Sequence, residues 1–411
     1  MAKIYPCKAV RPSKETLQNF SSKSYKSYTE KELKETLSKN PASFLSIINI
    51  KKNASFAVEK SKRYKLVREK YEEFITSKIL IKDTLSAVYI YETTQDNGGL
   101  FCGVIATASV EDYDTNVIKK HEATISKREN TFKDYLQTVQ FNAAPVLLTY
   151  PDSSLLETHI KIAKLNSITV NSWSTENETH KLWSVENHED IQHIQDGFKT
   201  IPSLYIADGH HRSASSALLA REKKAIHKSS INASFNRFLA FLIPESQLKI
   251  YDYNRVVKDL NGLSSSAFLE KVSLVFELKN KGKAPYKSLK THDISMYIDG
   301  IFYSLSLRES NQNNSAAIDQ LDAYILQTHL LEPILGVTNV RTNKRIGYVH
   351  GANSLEQIKS SVDCGDYAVG FGLFPVQSKE LMAIADSDDV MPPKSTYIYP
   401  KLRSGITIYE L

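Results

Sequence analysis

Three observations predict an α/β (α+β) fold built on a mixed sheet. Apolar runs of strand length alternate with stretches of helical period, turn dipeptides join two pairs of those runs, and no segment recurs at a fixed spacing. At 411 residues the chain exceeds what one small core organises, so two lobes are expected. The first is a core over residues 1–260. The second is a C-terminal α/β lobe over 261–411, whose 391–401 stretch returns to the working site.

From Glu59 to Leu80, Tyr64, Val67, Tyr71 and Phe74 recur at helical spacing and predict an amphipathic helix. The runs Ala87–Glu92 and Leu100–Ser109 flank Asn97-Gly98, a dipeptide that tolerates positive φ and favours a hairpin. Phe132, Tyr135, Leu136 and Val139 mark a helix over 131–140, and Pro145–Tyr150 reads as a buried strand. Ser167–Glu189 is polar enough to read as a loop or edge region.

Ser203–Ala207 is a short apolar strand, followed by a helix with Ala214, Ala217 and Leu218 on one face. Leu239–Ile243 is another strand, and the Ser- and Lys-rich 264–290 reads as a lobe boundary or surface helix. Asp299-Gly300 joins Ser295–Ile298 to Ile301–Leu307 as a second hairpin. Ile318, Leu321, Tyr324, Ile325 and Leu331 form a long helical stripe, and strands over 367–376 and 405–411 close the chain.

Composition narrows the function classes. Lys and Arg exceed Asp and Glu by 52 to 46 without a basic tail of the kind that marks many nucleic-acid binders, so the excess says little about partners: a mild positive bias suits an anionic substrate and equally a solvated lysine surface. Cys7, Cys102 and Cys364 match no metal or redox spacing, which implies a reducing cytoplasm. The N-terminus lacks a signal-like apolar stretch, and no run of apolar residues is long enough to span a membrane.

Three stretches carry chemistry. Asp208-Gly209-His210-His211-Arg212 lies where a strand gives way to a helix, whose first N–H groups and dipole favour an anion. Gly209 permits a sharp turn, and Arg212 supplies a planar fork suited to phosphate oxygens. Asp208 suits either a helix cap or a divalent cation, and at most one of the two histidines faces a ligand.

The second stretch gathers Lys119, Lys120, His121, Glu122, Thr124, Lys127 and Arg128. A zinc-protease reading of His121-Glu122 fails, because the second histidine it needs would stand at Ile125. Glu122 remains a candidate general base beside groups able to hold an anion. In the third stretch, Met391–Lys401, two prolines stiffen the backbone while Lys394, Ser395, Thr396 and Lys401 offer donors. Each stretch also has a plain structural reading, as a helix cap, a solvated charge run or a turn. The usual glycine-rich nucleotide fingerprints are missing.

Arg11-Pro12, Asn40-Pro41 with Ser43-Phe44, Lys120-His121-Glu122-x-Thr124, 142–146, Leu182-Trp183, 205–212 and 391–401 together resemble the signatures of a bacterial and archaeal family known as a domain of unknown function. The resemblance spans nearly the whole chain, and YIADGHHR and MPPKSTY-x-YPK are its most specific segments. The Asp-Gly-His-His-Arg box is in turn similar to the one with which ParB-like and sulfiredoxin-like proteins hold nucleotide phosphates. That superfamily includes enzymes that phosphorylate free serine with ATP or ADP, and a chromosome-partitioning branch that binds CTP and DNA.

The resemblance implies a ParB/sulfiredoxin-like core and a kinase acting on the hydroxyl of free L-serine or a similar metabolite. Asp208, as Mg²⁺ ligand, would join Glu122 and His121 in catalysis. Gly209, His210, His211, Arg212, Lys120, Lys394, Ser395 and Thr396 would bind ATP or ADP. The alternative is a ParB-like regulator that binds nucleotide without turning over a small substrate, and a hydrolase or other transferase using the same phosphate grip stays open. One departure is visible: where many members show Thr-His-Arg, this chain has Tyr253-Asn254-Arg255.

Overall fold

The computed structural model describes residues 1–50, 59–167, 169–226, 233–312, 315–351 and 353–411. Contacts divide them into two compact units. One comprises 1–120, 124–248 and 400–411, the other 121–123 and 249–399. Both are α/β, as expected.

The first unit is organised by a nine-stranded mixed sheet. Its order is Ile118–Lys119, Leu204–Asp208, Val146–Tyr150, Arg237–Pro244, Leu100–Ser109, Val88–Gln95, Glu178–Val185 and Thr169–Ser174, with Ile4–Tyr5 beside Leu100–Ser109. Ile118–Lys119 runs parallel to Leu204–Asp208, and Val146–Tyr150 parallel to Arg237–Pro244; the other pairings are antiparallel. Alternate residues explain the layering. Val88 and Ile90, Val104 and Ala106, Leu148 and Tyr150, and Ile206 pack against Leu156 and Ile160, Ile194 and Phe198, and Ala214 and Ala217 from three helices. Full burial of such side chains contributes about 1.5–3 kcal/mol each, which pins the strand register beneath the site.

The second unit holds a six-stranded antiparallel sheet in the order Phe276–Gly282, Ile301–Leu307, Ile294–Ile298, Val369–Gly372, Tyr253–Val257 and Ile346–His350. Its core gathers Val257, Met296, Leu305 and Phe371 under Phe268 and Val272 of the helix Ser265–Val275.

Both predicted hairpins form. Gly98 has φ +83°, and Asp299 and Gly300 both take positive φ, as a tight two-residue turn requires. Two expectations differ and one is narrowed. Of the two readings of 167–189, loop or edge region, the edge one holds: Thr169–Ser174 is the edge strand beside Glu178–Val185, whose His180, Leu182, Trp183 and Val185 are buried on alternating faces. The stripe over 318–331 is broken into the 3₁₀ turn Ala317–Gln320, the α-helix Asp322–Leu326 and the π-turn Gln327–Leu331. There the buried Gln327 amide donates to the Val337 carbonyl at 2.9 Å and to Glu332 at 2.8 Å, holding the widened turn. The closing strands shrink to Val369–Gly372 and Tyr409–Glu410. All three cysteines are free thiols, and among the described residues no helix is long and apolar enough to cross a membrane.

Candidate functional site

Leu204–Asp208 is buried on both sides and leads directly into the helix His210–Ile226. Gly209 makes the join at φ +109°, a backbone state in which an L side chain is strained. A Cβ there would also lie 2.9 Å from Arg212 Nε. The Gly209 carbonyl accepts the N–H groups of Arg212 at 2.8 Å and Ser213 at 3.1 Å, closing the first helical turn.

That turn brings Arg212 over Asp208. Its Nη2 lies 2.6 Å from Asp208 Oδ2, while Nη1 donates to the carbonyl of Pro145 on the neighbouring strand's approach. Side-chain exposure is 31% for Arg212 and 47% for Asp208, so the pair remains open to a solvent-borne ligand. Lys401 brings a third charge, with Nζ 4.0 Å from Asp208 Oδ1. The histidines part company as their adjacency requires: His210 is 4% exposed, and His211 is half-buried.

Lys120 belongs to the same unit. It follows Ile118–Lys119, which pairs in parallel with Leu204–Tyr205, so both strands end at the same edge. Its Nζ donates to the Tyr113 carbonyl at 3.3 Å and stands 4.5 Å from the centre of that ring.

His121 and Glu122 fall in the second unit. Met391 N donates to the His121 carbonyl at 2.9 Å, which joins the His-Glu stretch to the start of the 391–401 stretch within that unit. His121 is buried and Glu122 exposed. Lys394 is exposed, takes φ +63°, and holds its ammonium 5.4 Å from the centre of the Tyr253 ring. Ser395 is buried, and its hydroxyl donates to the Pro392 carbonyl at 2.7 Å, so it shapes the turn. Thr396 is half-buried.

The departure at 253–255 has a structural answer. Asn254, fully buried, donates to Asp252 and accepts the Leu373 N–H at 2.8 Å, bridging two segments in a way one amide allows. Arg255 is 1% exposed and donates to the Tyr253 carbonyl at 2.7 Å. Burial pulls its pKa down to about 10, and the Tyr348 and Tyr253 hydroxyls oppose that shift.

The Pro145 carbonyl escaped sequence reasoning, whereas Lys401 stands among the donors expected of 391–401; together they complete the surroundings of the Asp208–Arg212 pair. Beside Arg212, the residues Ser215, Ser216 and Asn142 line a cleft shared with Leu33 and Tyr135. The sequence signal for Asn142 and Pro145 was that 142–146 is a motif-like stretch.

The profile of a protein family of unknown function, DUF1015, matches residues 4–324. No curated protein matches the chain in sequence. Among solved structures, the chain is similar to a free serine kinase variant in complex with AMP (TM-score 0.37, 12% identity, covering 74% of this chain and 91% of that one). It is also similar to a conserved hypothetical protein from Pyrococcus furiosus (TM-score 0.34, 14% identity, 72% and 90%) and to C-terminally truncated SbnI from Staphylococcus aureus (TM-score 0.37, 12% identity, 74% and 85%).

Proposed function

The chain belongs to the DUF1015 family, and on that premise we propose that it is a cytoplasmic small-molecule kinase moving a phosphoryl group from ATP or ADP to the hydroxyl of free L-serine or a similar metabolite. The observation that carries the reading is the strand-to-helix turn at Gly209, with Arg212 and Lys401 flanking Asp208 at a helix N-terminus. Phosphoryl transfer asks chiefly for positioning and charge neutralisation, which such a group supplies. The acceptor and the role of Glu122 come from the sequence resemblance.

In this reading the residues divide the work. Arg212 and Lys401 hold phosphate oxygens, the helix end at His210 and His211 contributes its dipole, and Lys120 adds positive charge at the same sheet edge. Glu122 takes the proton of the acceptor hydroxyl, with His121 beside it in sequence. Lys394 and Thr396 complete the nucleotide contacts, while Ser395, expected from the sequence to join them, is buried and bonded to the Pro392 carbonyl and holds the turn instead. Asp208 would give a magnesium ion its one carboxylate once Arg212 turns from Asp208 to the phosphate, since such ions keep phosphate and water oxygens as further ligands. When bound, the ion neutralises charge on the transferred phosphoryl group.

The test is to incubate the purified chain with ATP or ADP, Mg²⁺ and L-serine and to look for O-phosphoserine by mass spectrometry. Glu122→Gln should retain nucleotide binding and lose turnover. Failure to phosphorylate any of a panel of hydroxylated metabolites would sink the proposal.

A further inference from the structure

The cleft beside Arg212 lies wholly within the first unit and has a volume of about 1330 Å³. Pockets for drug-sized ligands run to about 300–1,000 Å³, so free L-serine would fill only a corner of it. Its walls are mainly apolar. Leu33 and Leu37 come from the helix Glu30–Lys39, Val67 from Lys60–Thr76, and Phe132 and Leu136 from Ser126–Val139. Phe132 is 40% exposed, a large apolar side chain open to water where it lines the cleft.

One end is polar. Ser216 stands one helical turn beyond Arg212 on the same face, and Asn142 begins the 142–146 stretch whose Pro145 carbonyl accepts from Arg212. Asn142 Oδ1 accepts the Leu239 N–H at 3.3 Å, which fixes the amide and leaves its Nδ2 donor without a partner among the described residues. The charge of the lining is positive, with Lys34, Arg63, Lys70 and Arg212 against Glu30 alone. Lys70 is paired with Glu73 and Arg212 with Asp208, whereas Lys34 and Arg63 make no ion pair among the described residues.

We propose that this cleft receives an amphipathic hydroxy acid, its apolar body along Leu33, Val67 and Leu136 and its polar head toward Arg212, Ser216 and Asn142. A lining of apolar walls and unpaired cations selects an occupant that is both greasy and acidic. Shape and charge are read from the cleft alone; the hydroxyl rests on the kinase reading, under which this occupant is the acceptor and an N-acylated serine is its simplest serine-like form. In turnover the hydroxyl oxygen bonds the terminal phosphorus as the bond to the nucleotide's bridging oxygen breaks, and the hydroxyl proton passes to Glu122.

The test is calorimetry of the full chain with N-octanoyl-L-serine, followed by kcat/KM for that compound and for L-serine with ATP or ADP and Mg²⁺. The acylated compound should bind without nucleotide, and octyltrimethylammonium, a similar tail with the opposite charge, should not. Its kcat/KM should exceed that of L-serine about 50-fold, the gain that roughly three buried methylenes give. Phe132→Glu, at an exposed position, should weaken binding about tenfold; should that variant fail to fold, Leu37→Trp, which fills the cleft, should do the same. Binding with phosphorylation of neither compound would keep the pocket and sink the kinase reading. Phosphorylation of L-serine with no binding of the acylated compound, equal binding of the cationic amphiphile, or a dimer by light scattering that Phe132→Glu dissolves, would overturn the pocket.

Discussion

Arg212 and Arg255 put one functional group into two surroundings. Arg212 is about a third exposed, reaches a carboxylate at 2.6 Å and has Lys401 nearby. Arg255 is sealed in the second unit against tyrosines and a backbone carbonyl. An exposed pair of the first kind contributes only about 0–1 kcal/mol to stability, so it is free to exchange its partner for a ligand. A sealed guanidinium gives the fold little in return for its desolvation and is far harder to reassign. The difference teaches that accessibility, more than residue type, marks which arginine can work on a substrate.

The largest expected effect follows from that contrast. Arg212→Ala should lower kcat/KM for phosphoryl transfer about 1000-fold, or about 4 kcal/mol, with Tm nearly unchanged. A large drop in Tm with unaltered nucleotide affinity by calorimetry would reverse the assignment.

His180 carries the comparison into a buried ring of the first unit. It is stacked on Trp173 at 4.9 Å and bonded to the Tyr91 hydroxyl at 2.8 Å. Burial lowers its pKa from 6.5 to about 4, with the Arg403 charge pushing the same way. The unfolded chain therefore binds more protons between those values. Stability is whole above about pH 6.5 and falls by about 3 kcal/mol as pH drops toward 4. Urea unfolding from pH 7 to 4.5 should show this slope, and His180→Gln should flatten it. An unchanged slope in that variant would place the titration elsewhere.

A smaller effect is expected at Arg255. Arg255→Met should leave stability unaltered or raise it by about 1–2 kcal/mol, because an apolar side chain of similar length avoids the desolvation. A marked loss of stability by urea titration would mean that the guanidinium supports the second sheet after all. Smallest of all, Asp208→Asn should cost about 0.5 kcal/mol or less by the same titration, even if it abolishes activity.

Much of the architecture was legible because strands and helices print their periods into a sequence. Asn97-Gly98 and Asp299-Gly300 marked their hairpins through the need for positive φ, and the apolar runs Ala87–Glu92 and Leu100–Ser109 follow from strands buried on both faces. The 167–189 stretch stayed open between loop and edge because most of its polar residues face solvent, and only pairing with Val88–Gln95, distant in sequence, shows which of its residues are buried. The 318–331 stripe misled because apolar spacing cannot reveal that Gln327 turns inward to bond Val337.

The sequence by itself determined the local chemistry: a glycine able to turn the chain after Asp208, an arginine one helical turn on, and a proline-stiffened run of donors at 391–401. Only the tertiary structure decided the partners. The Pro145 carbonyl and Lys401 reach the Asp208–Arg212 pair from remote segments, and Met391 meets His121. Turn geometry and helical spacing act over a few residues. Burial and desolvation are set by whatever the folded chain brings alongside, which no short stretch encodes.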